Sequence, residues 1–243
     1  MSDSWPVGAL DPLIEALQTC YIPDHSPPDI AGLVADRRLG RMAIVSSFGT
    51  ESAVLLHLMS RARPDADVLF LDTLKHFPET HSYVDEIATR LSLNLRVICP
   101  DPALLADEDP DDMLWENHPD GCCRIRKVIP LQDALDGYDS WVSGQKRYQS
   151  VARAAVPLIE RDGIKIKLNP LALWTAADIS RYFTDHNLPP HPLVAQGFPS
   201  IGCAPCSRAV RPGEDPRAGR WAHTPEKTEC GIHLGPDGRF RRG

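Results

Sequence analysis

Residues 42–52 read MAIVSSFGTES: an apolar run, Met42-Ala-Ile-Val45, followed by the small and polar Ser46-Ser-Phe-Gly-Thr-Glu-Ser52. The run has the length and aliphatic content of a buried strand. Residues 52–62 then carry the pattern of an apolar helix. A strand that passes into a helix through small residues opens a βα unit. The first N–H groups of such a helix lack intrahelical partners and favour an anion, and small residues let a ligand come close. A plain strand–helix turn with a serine cap satisfies the same letters, so both readings stand at this point.

Outward from this stretch the alternation continues. Asp67-Val-Leu-Phe-Leu71 predicts a second strand. Pro78 and Glu79 open a helix to about residue 91, because proline suits the first helical turn. Leu93–Ile98, Trp141-Val142 and Ile164–Leu168 predict further strands, and Thr175 caps a helix over about 176–187. Leu10, Leu13, Ile14 and Leu17 recur at helical spacing, which predicts an N-terminal helix over 9–20, and the prolines of 21–29 a loop. The acidic run DEDPDD at 107–112 reads as a solvated loop, and little regular structure is expected after about residue 188. Strands alternating with helices predict an α/β fold, a mostly parallel sheet flanked by helices, which binds ligands beyond the carboxyl ends of its strands.

The bulk numbers narrow the function. At 243 residues, 42% hydrophobic and 24% charged, the chain is ordinary for a globular protein and can build a core without disulfides. No stretch approaches the length of a membrane span, and the N-terminus lacks the basic start and apolar run of a secretory signal. The expected location is therefore cytoplasmic, where thiols stay reduced. A net charge of −7 argues against a general nucleic-acid binder. Residues 207–243 depart from it, with eight Lys/Arg against five Asp/Glu. A basic tail on an acidic body can close over a small anion.

Of seven cysteines, two pairs are clustered: Cys122-Cys123 and Cys203-Ala-Pro-Cys206. Four soft thiolates suit an iron–sulfur cluster or zinc. Adjacent cysteines strain a compact tetrahedral site, which favours the larger cluster, while a redox dithiol at Cys203 and Cys206 stays a rival. Glu229-Cys230-Gly-Ile-His233 places a further cysteine beside a glycine and near Arg217, Arg220, Lys227 and His233. Thiolate is the nucleophile and cations favour it, so Cys230 is a candidate catalyst, with an incidental surface cysteine as the alternative. Lys127, Arg147, Arg217 and Arg220 are candidate partners for an oxyanion. Cys20 and Cys99 sit in apolar patterns and are expected in the core.

Taken together, SSFGTES, the LDT of 71–73 with Pro78-Glu79-Thr80, CCRIRKVIPL, SGQKRYQS, NPLALW, the block PLVAQGFPSIGCAPCSRAVRPGEDPRAGRW and KTECGIH resemble the phosphoadenylyl-sulfate/adenylyl-sulfate reductase family. The resemblance runs from about residue 40 to the tail. It implies an adenine-nucleotide α-hydrolase-like (PP-loop type) fold, with an α/β domain over 1–206 and an irregular, mobile tail over 207–243 carrying the catalytic cysteine. It further implies that Ser46, Ser47, Gly49 and Thr73 line the nucleotide site and that Gly144 and Arg147 hold adenosine or its phosphate. Lys127, Arg217, Arg220 and His233 would face the phosphosulfate. Cys122, Cys123, Cys203 and Cys206 would bind a 4Fe–4S cluster, and Cys230 would be the nucleophile. Two cysteine pairs resemble the members that act on adenylyl sulfate rather than on its 3′-phosphorylated form. With no glutaredoxin-like segment in the chain, a separate dithiol donor, thioredoxin, is implied. The sequence departs from the family at Lys146-Arg147, often paired arginines, at Tyr148, often an acid, and after Trp221, where further tryptophans are common. The rivals are a reductase of the 3′-phosphorylated nucleotide, a tRNA-thiolating enzyme of related fold and a zinc-stabilised nucleotide-binding protein. A homo-oligomer stays open.

Overall fold

In the computed structural model, residues 9–224, 226, 227 and 229–232 are described. Helices α1 (Leu10–Tyr21) and α2 (Ile30–Ala35) precede strand β1 (Met42–Ser46). Then come α3 (Ser52–Ala62), β2 (Asp67–Leu71), α4 (Pro78–Leu91) and β3 (Asn94–Ile98). Short helices α5 (Pro102–Glu108), α6 (Leu114–Asn117), α7 (Pro119–Cys123) and α8 (Ile129–Ala134) follow. Strand β4 (Ser140–Val142), the pair β5 (Ile159–Asp162) and β6 (Lys165–Leu168), and α9 (Ala176–Asp185) complete the regular elements.

The six strands form one sheet in the order β3-β2-β1-β4-β6-β5. All neighbours are parallel except β5, which runs antiparallel to β6. The side chains of β1 show why the sheet needs cover on both faces. Ile44 packs into a large core with residues of α1, α3, α4 and α9, whereas Ala43 and Val45 point the other way, into a smaller core with Leu131 and Leu135. A strand buried on both sides reads as a continuous apolar run rather than an alternating one. The chain winds from β1 toward β3 on one side and returns through β4 on the other, so the order reverses between β1 and β4. The crevice beyond their carboxyl ends is the topological switch point where such sheets bind ligands.

The predicted strands and helices lie where their apolar patterns place them, and Thr175 caps α9 by accepting from Asp178 N at 3.1 Å. Strand β5 was not anticipated. Gly163, at φ 61°, turns the chain between Asp162 and Lys165, so Ile164 sits in the turn and not in a strand. Two expectations are corrected. Cys20 and Cys99 are exposed: Cys20 lies in the last turn of α1 beside exposed Gln18 and Thr19, and Cys99 follows the sheet's edge strand, where Arg96 and Val97 also face solvent. The acidic run is not simply a solvated loop. Asp109 is buried and accepts from the Arg126 guanidinium at 2.6 Å, which offsets the cost of burying both charges.

Candidate functional site

The β1–α3 turn is fixed by its small residues. Ser46 Oγ accepts from Phe48 N at 3.1 Å, and Ser52 Oγ donates to Gly49 O at 2.6 Å. Phe48 adopts φ 48°, unfavourable for a bulky side chain, while its ring is fully buried against Phe70. The strained turn leaves Ser47, Gly49 and the uncapped start of α3 facing outward.

They face an open cleft of about 1170 Å³, mouth included, at the switch point. Ser46, Ser47 and Gly49 line it from the β1 end, Thr73 and His76 from the β2 end, and Ser143, Gly144 and Lys146 from the β4 end. Lys127, Arg153, Arg217, Arg220, Glu229 and Cys230 close its remaining sides. Of the residues read as nucleotide or phosphosulfate partners, Ser46, Ser47, Gly49, Thr73, Gly144, Lys127, Arg217 and Arg220 are thus brought together with Cys230. Arg147 is not. Its side chain turns away and donates to Val156 O at 2.8 Å, and the neighbouring Lys146 takes the position at the cleft. His233 lies outside the described residues.

Cations dominate the cleft. Arg220 stacks over the Trp221 ring at 4.4 Å and donates to Ile201 O at 2.7 Å. It passes so close to Gly202 that a Cβ there would lie 2.4 Å from its guanidinium, which explains the glycine. Burial and nearby Arg153 push Arg217 down to about 10, against the pull of Glu229, so it stays charged at neutral pH. Burial lowers Lys146, opposed by Glu51 at 3.2 Å. Glu51 also accepts from Tyr148 at 2.5 Å and Gln149 at 2.7 Å.

Behind the cleft wall lie the paired cysteines. Cys122, Cys123, Cys203 and Cys206 are all buried, and none is in a disulfide. Cys122 and Cys123 end α7, and the chain runs on through a π-helical turn, Arg124–Val128, that returns Lys127 Nζ to 3.8 Å from Cys123 Sγ. Cys203 Sγ lies 3.2 Å from Thr73 Oγ1. Burial pushes Cys122 up to about 12, reinforced by Cys123 and Cys203, and pushes Cys206 up to about 11, reinforced by Cys203. Burial also opposes the Cys203 thiolate, yet Lys127, Thr73 and Arg220 outweigh it and lower the pKa. Lys127 shows the reciprocal effect: burial disfavours its charge, and the thiolates of Cys123, Cys203 and Cys230 more than restore it. The thiols and the cleft cations therefore share one electrostatic environment.

Glu51, Lys146, Arg153 and Glu229 escaped the sequence reading. Glu51, Lys146 and Glu229 lay inside quoted motifs. Their charges carried no distinguishing signal until the fold set Glu229 opposite Arg153 and Lys146 opposite Glu51.

An α/β fold with a cationic cleft at its switch point, backed by buried thiols and entered by another, has the form and charge suited to a phosphorylated small molecule. The chain belongs to the family of the phosphoadenosine phosphosulfate reductase domain, whose family model matches residues 41–209. Adenosine 5′-phosphosulfate reductase of Chelativorans sp. (strain BNC1) is 46% identical over 229 residues, covering 93% of each chain. The protein of that name from Mesorhizobium japonicum is 49% identical over 195 residues, covering 79% of this chain and 76% of that one. The crystal structure of phosphoadenylyl-sulfate reductase from Candida auris, a phosphate complex, superposes with TM-score 0.64 at 27% identity, covering 86% of this chain and all of that one. Candida glabrata FMN adenylyltransferase, at 16% identity and TM-score 0.52 over 79% of this chain and 69% of that one, shares the fold.

Proposed function

We propose that the chain reduces adenylyl sulfate to sulfite and AMP, with Cys230 as nucleophile. The observation that carries this reading is the presence of Cys230 in the same cleft as the β1–α3 turn, Lys127, Arg217 and Arg220. The turn and the β4 end receive the nucleotide, and the cations face its phosphosulfate. The Cys230 thiolate attacks the sulfur atom, a Cys–S bond forms, the S–O bond to phosphate breaks, and AMP leaves with the electron pair. Cations around the sulfonyl oxygens offset the charge that gathers during transfer. A dithiol donor, thioredoxin, then attacks Cys230 Sγ, sulfite departs, and the second donor thiol resolves the mixed disulfide and frees Cys230. The two electrons come from the donor, which ends as a disulfide.

Cys122, Cys123, Cys203 and Cys206 would hold a 4Fe–4S cluster. The donor set fits: four buried free thiols, with Lys127 and Arg220 nearby to offset the charge of a thiolate-ligated cluster. Among the described residues no three His, Cys, Asp or Glu side chains form a site for a single metal ion. When bound, the cluster supplies a fixed anionic charge against which Lys127 is held toward the substrate. Among the described residues no helix is long and apolar enough to cross a membrane, and free thiols fit the reducing cytoplasm.

The 3′-phosphorylated nucleotide is the second reading, favoured by the likeness to the Candida auris enzyme. The deciding experiment compares kcat/KM for the two sulfonucleotides with a thioredoxin system. Adenylyl sulfate is expected to be preferred, and equal or reversed values would assign the other substrate. Without thioredoxin, the enzyme should release about one AMP per site and gain the mass of one SO₃ on the Cys230 peptide. An adduct on Cys20 or Cys99 would overturn the role of Cys230.

A further inference from the structure

A carboxylate in a cleft built for an anionic ligand is out of place unless it has work of its own, and Glu229 stands next to Cys230. Its carboxylate takes two bonds from Arg153, Nε to Oε1 at 2.6 Å and Nη2 to Oε2 at 2.7 Å, in paired geometry. Ser150 Oγ donates to Oε1 at 3.3 Å, and Arg217 Nη2 lies 3.8 Å away. Both members of the Arg153 pair are largely shielded from water, at 13% and 15% exposure, so salt and solvent screen them little. Burial alone would raise the Glu229 pKa, but Arg153 and Arg217 bring it below the ordinary value, so the carboxylate is charged at neutral pH. On the other side of Cys230, Gly231 adopts φ 80°, a turn open to glycine, and Ile232 packs on the apolar cluster of Leu131 and Trp141. The thiol thus lies between a polar and an apolar anchor, and its described neighbours 229–232 are in neither helix nor strand.

We propose that Glu229 is a positioning residue: its pair with Arg153 is the latch that seats Cys230 in the cleft. The latch has to be breakable, because Cys230 is half-buried in the cleft and a dithiol protein has to reach its Sγ. An ion pair, with the contacts of Ile232 on its apolar cluster, of Cys230 on Trp221 and its neighbours and of Lys227 with Asp120, meets that need better than a helix or strand. The two half-reactions then make opposite demands, closure for sulfur transfer and opening for sulfite release. Seating of the thiol is independent of the reaction assigned above, whereas the kinetic effect presupposes it.

The test uses the full chain without nucleotide. Cys230 is alkylated with iodoacetamide and followed by peptide mass spectrometry, with exposed Cys20 and Cys99 as internal references. The limiting rate at high pH is taken, so that a change in thiol acidity drops out. Glu229→Gln should speed Cys230 alkylation about tenfold, the size expected on losing a charge-assisted contact, with the thermal transition unchanged. Arg153→Gln should do the same although it removes the opposite charge, and the double variant should go no faster than either single one. Unchanged rates in both single variants would overturn the latch, and so would multiplicative rates in the double variant. In single turnover, Glu229→Gln should slow AMP release about tenfold by the same loss of contact, and should not slow thioredoxin-driven sulfite release from preformed adduct. Equal slowing of both steps would overturn the division of labour. If the wild type forms no adduct at all, the assigned reaction fails and alkylation alone decides the latch.

Discussion

At the scale of single residues, the cleft works through contacts that are close to their steric or electrostatic limits. Gly202 is the sharpest case, because a Cβ there collides with the Arg220 guanidinium. The colliding atoms are the far end of a flexible side chain, so the fold can yield and the site cannot. Gly202→Ala should leave thermal stability within about 1 kcal/mol and lower kcat/KM by an order of magnitude or more, the usual scale for displacing an oxyanion-binding group. Normal kcat/KM would show that Arg220 does not act on the substrate. Lys127 gives a second prediction. If the four cysteines hold the proposed cluster, Lys127→Ala should match the wild type in iron content and slow AMP release in single turnover by roughly 10²-fold, as expected on removing one charge-stabilising donor. Near-normal release would remove Lys127 from the chemistry. These residues differ in how visible they were in the sequence. Lys127 could be singled out because it is a cation inside the CCRIRKVIPL motif, next to a cysteine pair. Arg153 could not, because its role depends on Glu229, 76 residues away in sequence. Arg147 was misplaced for a related reason: Lys146 and Arg147 are adjacent cations, and only the backbone decides which one faces the cleft.

At the scale of elements, legibility followed periodicity. Strands β1 and β2 and helices α3 and α4 combine a clean apolar pattern with a recognisable boundary, and each was bounded nearly to the residue. Strand β5 is short and partly exposed, with charged Glu160, Arg161 and Asp162, so its pairing with β6 is a tertiary decision. The acidic run shows the opposite error, a polar pattern hiding a buried strut. Arg126 donates to Thr73 O at 3.0 Å, to Asp109 at 2.6 Å and to Asp112 at 2.7 Å. Lys75 joins the same group through Asp112, and its carbonyl accepts from Ala204 N at 2.7 Å. One guanidinium therefore ties the loop after β2, the acidic segment and the helix of the first cysteine pair, while Lys75 reaches the second pair. Arg126→Met should leave buried Asp109 without its cationic partner, with only the Leu114 N–H at 2.8 Å to satisfy it, and cost about 3–5 kcal/mol in denaturant unfolding. A loss below about 1 kcal/mol, ordinary for a surface ion pair, would show that the strut is dispensable.

At the scale of the whole molecule, the structure divides into a sheet with an aliphatic core on both faces and a thiol-bearing wall held by polar contacts around a small apolar cluster. The core on either side of β1 is aliphatic, and the paired cysteines belong to neither of its two clusters. Cys203 and Cys206 instead pack with Trp221, against which Trp115 and Cys230 also lie, a small cluster with little apolar area to bury. Trp221 is itself held at φ 47°, a strained geometry that its surroundings must enforce. A shared metal cluster would supply what this wall lacks, by joining chain segments some eighty residues apart, Cys122-Cys123 and Cys203–Cys206, so that binding energy becomes local folding energy. Anaerobically purified protein should accordingly be brown, with about four iron and four sulfide per chain. Replacing any one of the four cysteines with serine should abolish the colour. Hydrogen exchange on iron-depleted protein should then rise in α7 and across 200–221 and stay unchanged in β1, β2 and α3, because the sheet owes its protection to the aliphatic core. A uniform rise over the whole chain would mean that the metal supports the fold globally. Unchanged exchange in 200–221 would mean that the wall is held by protein contacts alone. Stoichiometric zinc without iron in anaerobic preparations would defeat the iron assignment itself, while leaving the division between sheet and wall to the exchange data.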